Sequence, residues 1–305
     1  MEAGFSGRPY ANAFAGESAK LILDWFSPID PSKTHQLARS LYQRGTGKWF
    51  IDGPEFTKWH EKPNSALWIY GIRKLSCVNL NGILNTGYSG RRKDNLIVGL
   101  LAFYQCYMTT NLQSSLIIEE VFNLKVSGTA YYYCTYRDPT SQKPTYILGS
   151  LIRQLAEQST EAFLECKAFH TVRNPAGRPP SQPTEAELGE LLQSISKHFA
   201  EVSLVVDGLD ECGAAAGIDR TELTRVLSNI HDPSVGTIRI AIASRREQNI
   251  DMYLAKFDHI SIAAMSSDLE LYVGAEVARR GRHIIRDENI REEIIEALTS
   301  GAEGM

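Results

Sequence analysis

The stretch SLVVDGLDEC, Ser203 to Cys212, decides how the rest of the chain reads. Leu204, Val205 and Val206 make a short apolar run bounded by a glycine turn, the pattern of a strand buried on both faces. The run ends at Asp207; Gly208 and Leu209 then lead to a second acidic pair, Asp210 and Glu211. Open α/β sheets place ligands beyond the carboxyl ends of their strands. A carboxylate at such a strand end can hold magnesium against phosphates, and a neighbouring carboxylate can orient an attacking water. The segment therefore nominates Asp207 as a metal ligand and Asp210 and Glu211 as catalytic carboxylates. The competing reading is an Asp-Gly turn followed by solvated acids that cap the next helix.

A second segment, IRIAIASRRE from Ile238 to Glu247, is another apolar strand ending in a polar turn. If it neighbours the first, Arg245 reaches toward a γ-phosphate; otherwise it is an ordinary charged strand end. In all, strands are expected at Ala66 to Tyr70, Thr129 to Thr135, Val202 to Val206, Ile238 to Ala243 and His259 to Ala263. Helical patterns fall between most of them, at Ser114 to Phe122, Tyr146 to Glu157, Glu185 to Phe199 and Arg220 to Ile230. Strands alternating with helices predict the α/β class, a parallel sheet covered on both faces.

Three regions follow from this layout. Residues 1–62 form a helical leader, with Leu21, Ile22, Trp25 and Phe26 at helical spacing and Leu37, Leu41 and Tyr42 on a second helix begun near Pro31 and Ser32. Residues 63–265 form the nucleotide-binding type of domain, interrupted by the loop TVRNPAGRPPSQP from Thr171 to Pro183. Residues 266–305 are helical only and begin a further subdomain.

The chain of 305 residues has a net charge of -4 and a pI of about 6.0, so it lacks the basic balance that nucleic-acid binding needs. Cys77, Cys106, Cys134, Cys166 and Cys212 are scattered and never in a CxxC pair, which predicts neither a disulfide framework nor a zinc site. The amino-terminal residues lack the basic and apolar regions of a secretory signal. The apolar run Leu96 to Met108 is too short to span a bilayer as a helix. A soluble cytoplasmic protein, with no nucleic-acid or membrane partner, is expected.

One part of the chemistry is missing. In LWIYGIRKLS, Leu67 to Ser76, a strand runs into Gly71, where a phosphate-cradling loop would open and where Gly71 would approach the phosphates. Arg73, Lys74, Leu75 and Ser76 follow instead. The string Gly-x-x-x-x-Gly-Lys-Ser/Thr occurs nowhere. RGTGKWF offers Gly47 and Lys48, but Tyr42 stands in the first glycine position and Trp49 in the hydroxyl position, so Lys48 reads as a solvated lysine. No Gly-x-Gly-x-x-Gly follows any strand, which excludes a dinucleotide-binding dehydrogenase. The stretch GYSGRRKDN, Gly87 to Asn95, reads as a polar turn in protein terms. One allowed codon spelling, GGG TAT TCC GGG CGC CGG AAA GAC AAT, yields Gly-Ile-Pro-Gly-Ala-Gly-Lys-Thr when its first base is dropped. The second base of each written codon is nearly fixed and becomes the first base of the shifted one, so each match has roughly a one-in-four chance. A complete phosphate loop is thus expected in another frame, and residues 73–113 read as an anomalous insert, a retained intron or mispredicted exon, with the true frame resuming near Ser114.

The DGLDE and SRRE turns, YYYCTYRD (Tyr131 to Asp138), ILDWFSPID and GTGKWFIDGPEFTKWHE together resemble the NACHT-type NTPase module of fungal signalling proteins, in its nephrocystin-like N-terminal form. The resemblance covers most of residues 20–305 outside the insert. It implies a P-loop NTPase-like sheet and a STAND-type switch using ATP and Mg2+, with ATP preferred over GTP. In that scheme Asp207 meets magnesium, Asp210 and Glu211 meet water or metal, and Arg245 senses the γ-phosphate. It also implies self-association through the NTPase domain and flanking effector and repeat domains absent from this sequence, so a fragment or truncated product is expected. Without the loop's backbone donors and lysine, the chain as written is expected to bind ATP weakly or not at all. The rival expectation is a pseudo-NTPase, a nucleotide-independent interaction scaffold.

Overall fold

The computed structural model describes residues 17–40, 42, 45–71, 111–135, 138–177, 179–213, 219–232, 237–262 and 271. Four helices lead: α1 (Glu17–Phe26), α2 (Ser32–Ser40), α3 (Lys48–Ile51) and α4 (Pro54–Glu61). Strand β1 (Ala66–Gly71) follows, then α5 (Asn111–Asn123), β2 (Gly128–Tyr133), α6 (Pro144–Ala156), α7 (Thr160–Arg173) and α8 (Glu185–Ser196). The remaining elements are β3 (Val202–Asp207), α9 (Thr221–Asn229), β4 (Ile238–Arg245), α10 (Gln248–Leu254) and β5 (Asp258–Ile262).

The five strands form one parallel sheet in the order β2-β3-β4-β1-β5. Every residue of β2 and β3 is buried, as the uninterrupted apolar runs require when helices cover both faces. Alternation of side chains divides the core in two. Trp68, Tyr132, Leu204, Val206 and Ile242 face α1, α6, α8 and α9, while Leu67, Ile69, Tyr131, Val205 and Ala241 face α3, α4 and α5. The leader joins both layers: Ile22, Leu23 and Phe26 pack into the first, Phe50, Phe56 and Trp59 into the second.

Strand β2 lies at the sheet edge, and two glutamines one turn apart on the α6 side cover it. Gln154 accepts from Tyr131 N (3.2 Å) and donates to Tyr131 O (2.8 Å). Gln158 accepts from Thr129 N (3.0 Å) and donates to Thr129 O (2.7 Å). Carboxamides thus satisfy the backbone groups that a further strand would otherwise take.

Several expectations shift. All five strands are present, with ends moved by one or two residues. Helix α7 was not anticipated, because its apolar residues do not line one face: only Ala162, Phe163 and Cys166 are buried, while Leu164 and Val172 are exposed; it extends to Arg173 and shortens the expected loop. Helix α5 begins at Asn111, so the last residues of the expected insert belong to it. On α2 the buried residues are His35 and Ala38, whereas Leu37 is 49% exposed and Tyr42 beyond it 40%. Polar partners, described below, turn the helix that way. Residues 73–110, with the apolar run Leu96 to Met108, and all of 266–305 except Leu271 lie outside the described residues. Among the described residues no helix is long and apolar enough to cross a membrane.

His231, after α9, has a buried Nδ1 without a hydrogen-bond partner and packs edge-on against Phe257 at 5.3 Å. Burial, with the Lys256 charge second, lowers its pKa from the ordinary histidine value. The unfolded chain therefore binds the proton first as pH falls. Stability should be full above about pH 6.5 and fall below it until the folded form also protonates. The variant His231→Gln should flatten that part of a urea-unfolding profile between pH 7.5 and 5.

Candidate functional site

Parallel strands bring all their carboxyl ends to one edge, and register fixes what meets there. Gly71 of β1 pairs with Arg245 of β4, and Asp207 of β3 pairs with Ala243 of β4. Because β3, β4 and β1 are adjacent, the residues nominated from three distant segments converge. Lys48 does not join them: it is exposed and paired with Asp52, as its reading as a surface lysine anticipates.

Asp207 is 1% exposed, and its Oδ1 accepts from the Ser114 hydroxyl at 3.0 Å. Ser114 stands near the start of α5, the first helix described after β1. It was not nominated from the sequence, although phosphate-loop chemistry calls for a hydroxyl at the beginning of that helix. The phenol of Tyr133, in register with Asp207, is held well above its ordinary pKa by burial and then by the Asp207 charge.

The turn after Asp207 depends on Gly208, whose φ of 72° lies in the left-handed region. A Cβ there would stand 2.7 Å from Cys134 O. The Gly208→Ala variant should lose about 2 kcal/mol in thermal or chemical unfolding, from left-handed strain plus a backbone collision. Beyond Gly208 a single 3-10 turn, Leu209–Glu211, closes with Glu211 N donating to Gly208 O at 2.8 Å.

This turn directs Asp210 back to β4. Its Oδ1 accepts from Arg245 N at 3.0 Å and its Oδ2 meets Arg245 Nε at 3.1 Å. Glu211 lies 3.7 Å from Arg245 Nη2. Arg245 thus offsets the charge of both carboxylates at once. Arg220, also missed from sequence, joins the two turns: it donates to Asp210 O and to the Glu247 carboxylate. No local pattern distinguishes Arg220 from other helix-start arginines, since its partners are 10 and 27 residues away.

Cys134 and Cys212 flank the site. The Cys134 thiol is pushed well above its usual pKa by its hydrogen bond to Cys212 and by burial, so it is a poor nucleophile. Cys166, elsewhere in the core, is raised to about 12 by burial.

The donor set fits magnesium only in part. Asp207 and the Ser114 hydroxyl are hard oxygen groups of the right kind, but among the described residues no three His, Cys, Asp or Glu side chains stand close enough to hold a metal ion. Magnesium usually keeps several waters and is held by one or two carboxylates together with phosphate oxygens rather than by an all-protein cage.

Residues 110–245 match the family described as Nephrocystin 3, N-terminal. The match opens immediately before α5 and closes on Arg245, so it contains Ser114, Asp207, Asp210 and Glu211 and leaves out the region of the expected insert up to 109. No curated protein matches the chain. Among solved structures, a Walker-type ATPase of Pyrococcus abyssi aligns with a TM-score of 0.40 and 11% identity, over 82% of this chain and 65% of its own length. This chain therefore spans a little under two thirds of that ATPase, and its similarity to the nephrocystin type rests on residues 110–245.

Proposed function

We propose that the chain is a NACHT-type, STAND-class signalling NTPase module whose carboxylate half is in place and whose phosphate-binding half is not encoded in this sequence. The observation that carries this is the convergence of Asp207, Asp210, Glu211 and Arg245, with Ser114 on Asp207, at the carboxyl edge where β1 ends in Gly71. In this reading Asp207 and Ser114 would hold Mg2+, which supplies charge neutralisation for a triphosphate. Glu211 orients water, and Asp210 holds Arg245 in place until a γ-phosphate competes for it. ATP is the expected nucleotide, and self-association is the expected output.

The same geometry favours a second reading. Arg245 is already satisfied by two carboxylates, so the edge is internally neutralised and can persist as a nucleotide-independent scaffold.

A loop graft separates the two. Equilibrium binding of labelled MgATP to the chain as written should give a Kd above about 1 mM, against about 1 μM once residues 72–110 are replaced by Ile-Pro-Gly-Ala-Gly-Lys-Thr, a gain of about 4 kcal/mol. Asp207→Asn in the grafted chain should abolish the magnesium-dependent part. A folded graft that binds no MgATP assigns the chain to the scaffold reading, and tight binding by the chain as written contradicts the proposed defect. Sequencing cDNA across the codons for Leu67 to Val121 shows which loop the transcript encodes.

A further inference from the structure

His35, on leader helix α2, is 5% exposed and bonds on both ring nitrogens. Its Nδ1 lies 2.9 Å from the Tyr133 hydroxyl at the carboxyl end of β2, and its Nε2 lies 2.9 Å from Glu119 Oε1 on α5. Arg39, one turn along α2, reaches the same oxygen at 3.1 Å. The ring also packs against Tyr131 and Tyr133, at 5.1 and 6.1 Å between centroids.

Both elements that His35 grips lead to one residue. Tyr133 is the register partner of Asp207 on the neighbouring strand. Glu119 shares α5 with Ser114, whose hydroxyl holds Asp207 Oδ1 at 3.0 Å. A rise of 1.5 Å per residue puts Ser114 about 7.5 Å from Glu119 along the helix axis, so rotating or sliding α5 at Glu119 moves Ser114 by a similar amount.

Burial keeps the Tyr133 phenol protonated, with its hydroxyl within hydrogen-bond distance of Nδ1. The Glu119 carboxylate can only accept, so it takes its hydrogen bond from Nε2. One ring thus joins a leader helix, a strand end and the helix that carries Ser114.

We propose that α2 is a clamp on the site: through His35 and Arg39 it fixes Glu119 and Tyr133, and displacement of α2 releases the Ser114–Asp207 contact. His35 is then a positioning residue, and the leader is the lever by which a binding event on the amino-terminal side reaches the carboxylate edge. The consequence for ligand affinity rests on the nucleotide reading above; the mechanical coupling does not.

Amide hydrogen exchange of the full chain without ligand tests the coupling. In His35→Phe, which keeps an aromatic ring of somewhat larger size and removes both hydrogen bonds, peptides from α5 and from the end of β3 should exchange about tenfold faster, as in Glu119→Ala. Glu119→Gln, which still accepts from Nε2, should stay near the parent. Leu254→Ala, a core truncation on the other face of the sheet, serves as the reference for global destabilisation, with exchange rates compared after correction for each variant's measured unfolding free energy. A rise confined to α2, or one no larger at α5 and β3 than in the Leu254 reference, overturns the clamp. Because no nucleotide is present, failure of the clamp is distinct from failure of the loop graft to bind MgATP.

Discussion

Replacing Gln154 with leucine should cost about 4 kcal/mol and turn the β2 edge adhesive. The side chain is buried and donates to Tyr131 O at 2.8 Å while accepting from Tyr131 N at 3.2 Å. Leucine fills the space and restores neither bond, so one buried backbone donor and one acceptor are stranded at about 1–3 kcal/mol each. At roughly 2–4 °C per kcal/mol for a domain of this size, the melting temperature should fall by about 8–16 °C. Gln154→Glu makes the argument sharper. It keeps an acceptor for the Tyr131 amide but sets a carboxylate against the Tyr131 carbonyl, so it should be no better than leucine. The opened edge has a second readout, since light scattering should detect concentration-dependent association of Gln154→Leu that the parent does not show. A variant that melts with the parent and stays monodisperse would show that the edge is protected by something other than these carboxamides.

The same glutamines mark where sequence reading stops. Apolar runs identified the inner strands β1, β3 and β4, because a strand buried on two faces has to be apolar along its length, whereas the half-buried edge strand β5 shows only an alternation of polar and apolar residues. The acidic turn and the SRRE turn were legible for the same reason, since each is a polar break at the end of such a run. Strand order was not legible, because it is set by contacts between segments far apart in the chain. Without the order, Gln154 and Gln158 are only two polar residues on a helix, and Ser114 only a hydroxyl in a helix start. Leu37 on α2 shows the opposite error. Apolar spacing placed it inward, but the His35 bonds to Tyr133 and Glu119 orient the helix so that Leu37 is 49% exposed. A buried hydrogen-bonded histidine outweighed one leucine, which periodicity alone does not weigh.

The second large effect is expected at Gly149, where helix propensity and packing predict opposite signs. In the middle of α6, alanine in place of glycine should stabilise by about 1 kcal/mol on propensity alone. A Cβ at that position would stand 2.0 Å from Phe26 O and 2.7 Å from Phe26 C, atoms of the backbone that ends α1. Neither can swing aside like a side-chain tip. The end of α1 is further pinned by Arg153, which reaches Asp24 Oδ1 at 2.7 Å and Ser27 O at 2.9 Å. The collision should therefore win, and Gly149→Ala should lose about 3 kcal/mol in urea unfolding. The loss has a local form: if α1 is pushed off, Ile22, Leu23 and Phe26 leave the core and the helix around the already exposed Lys20 unwinds, which lets trypsin cut there before the sheet unfolds. Early cleavage at Lys20 in Gly149→Ala, together with retained protection of β3 and β4, would establish that the leader separates from an intact sheet. A gain in stability would instead mean that α1 relaxes without cost, and the close approach of α1 to α6 would then have no energetic role. Because α1 packs on one face of the sheet and α2 holds Glu119 on the other, losing α1 also removes one anchor of the segment that carries His35.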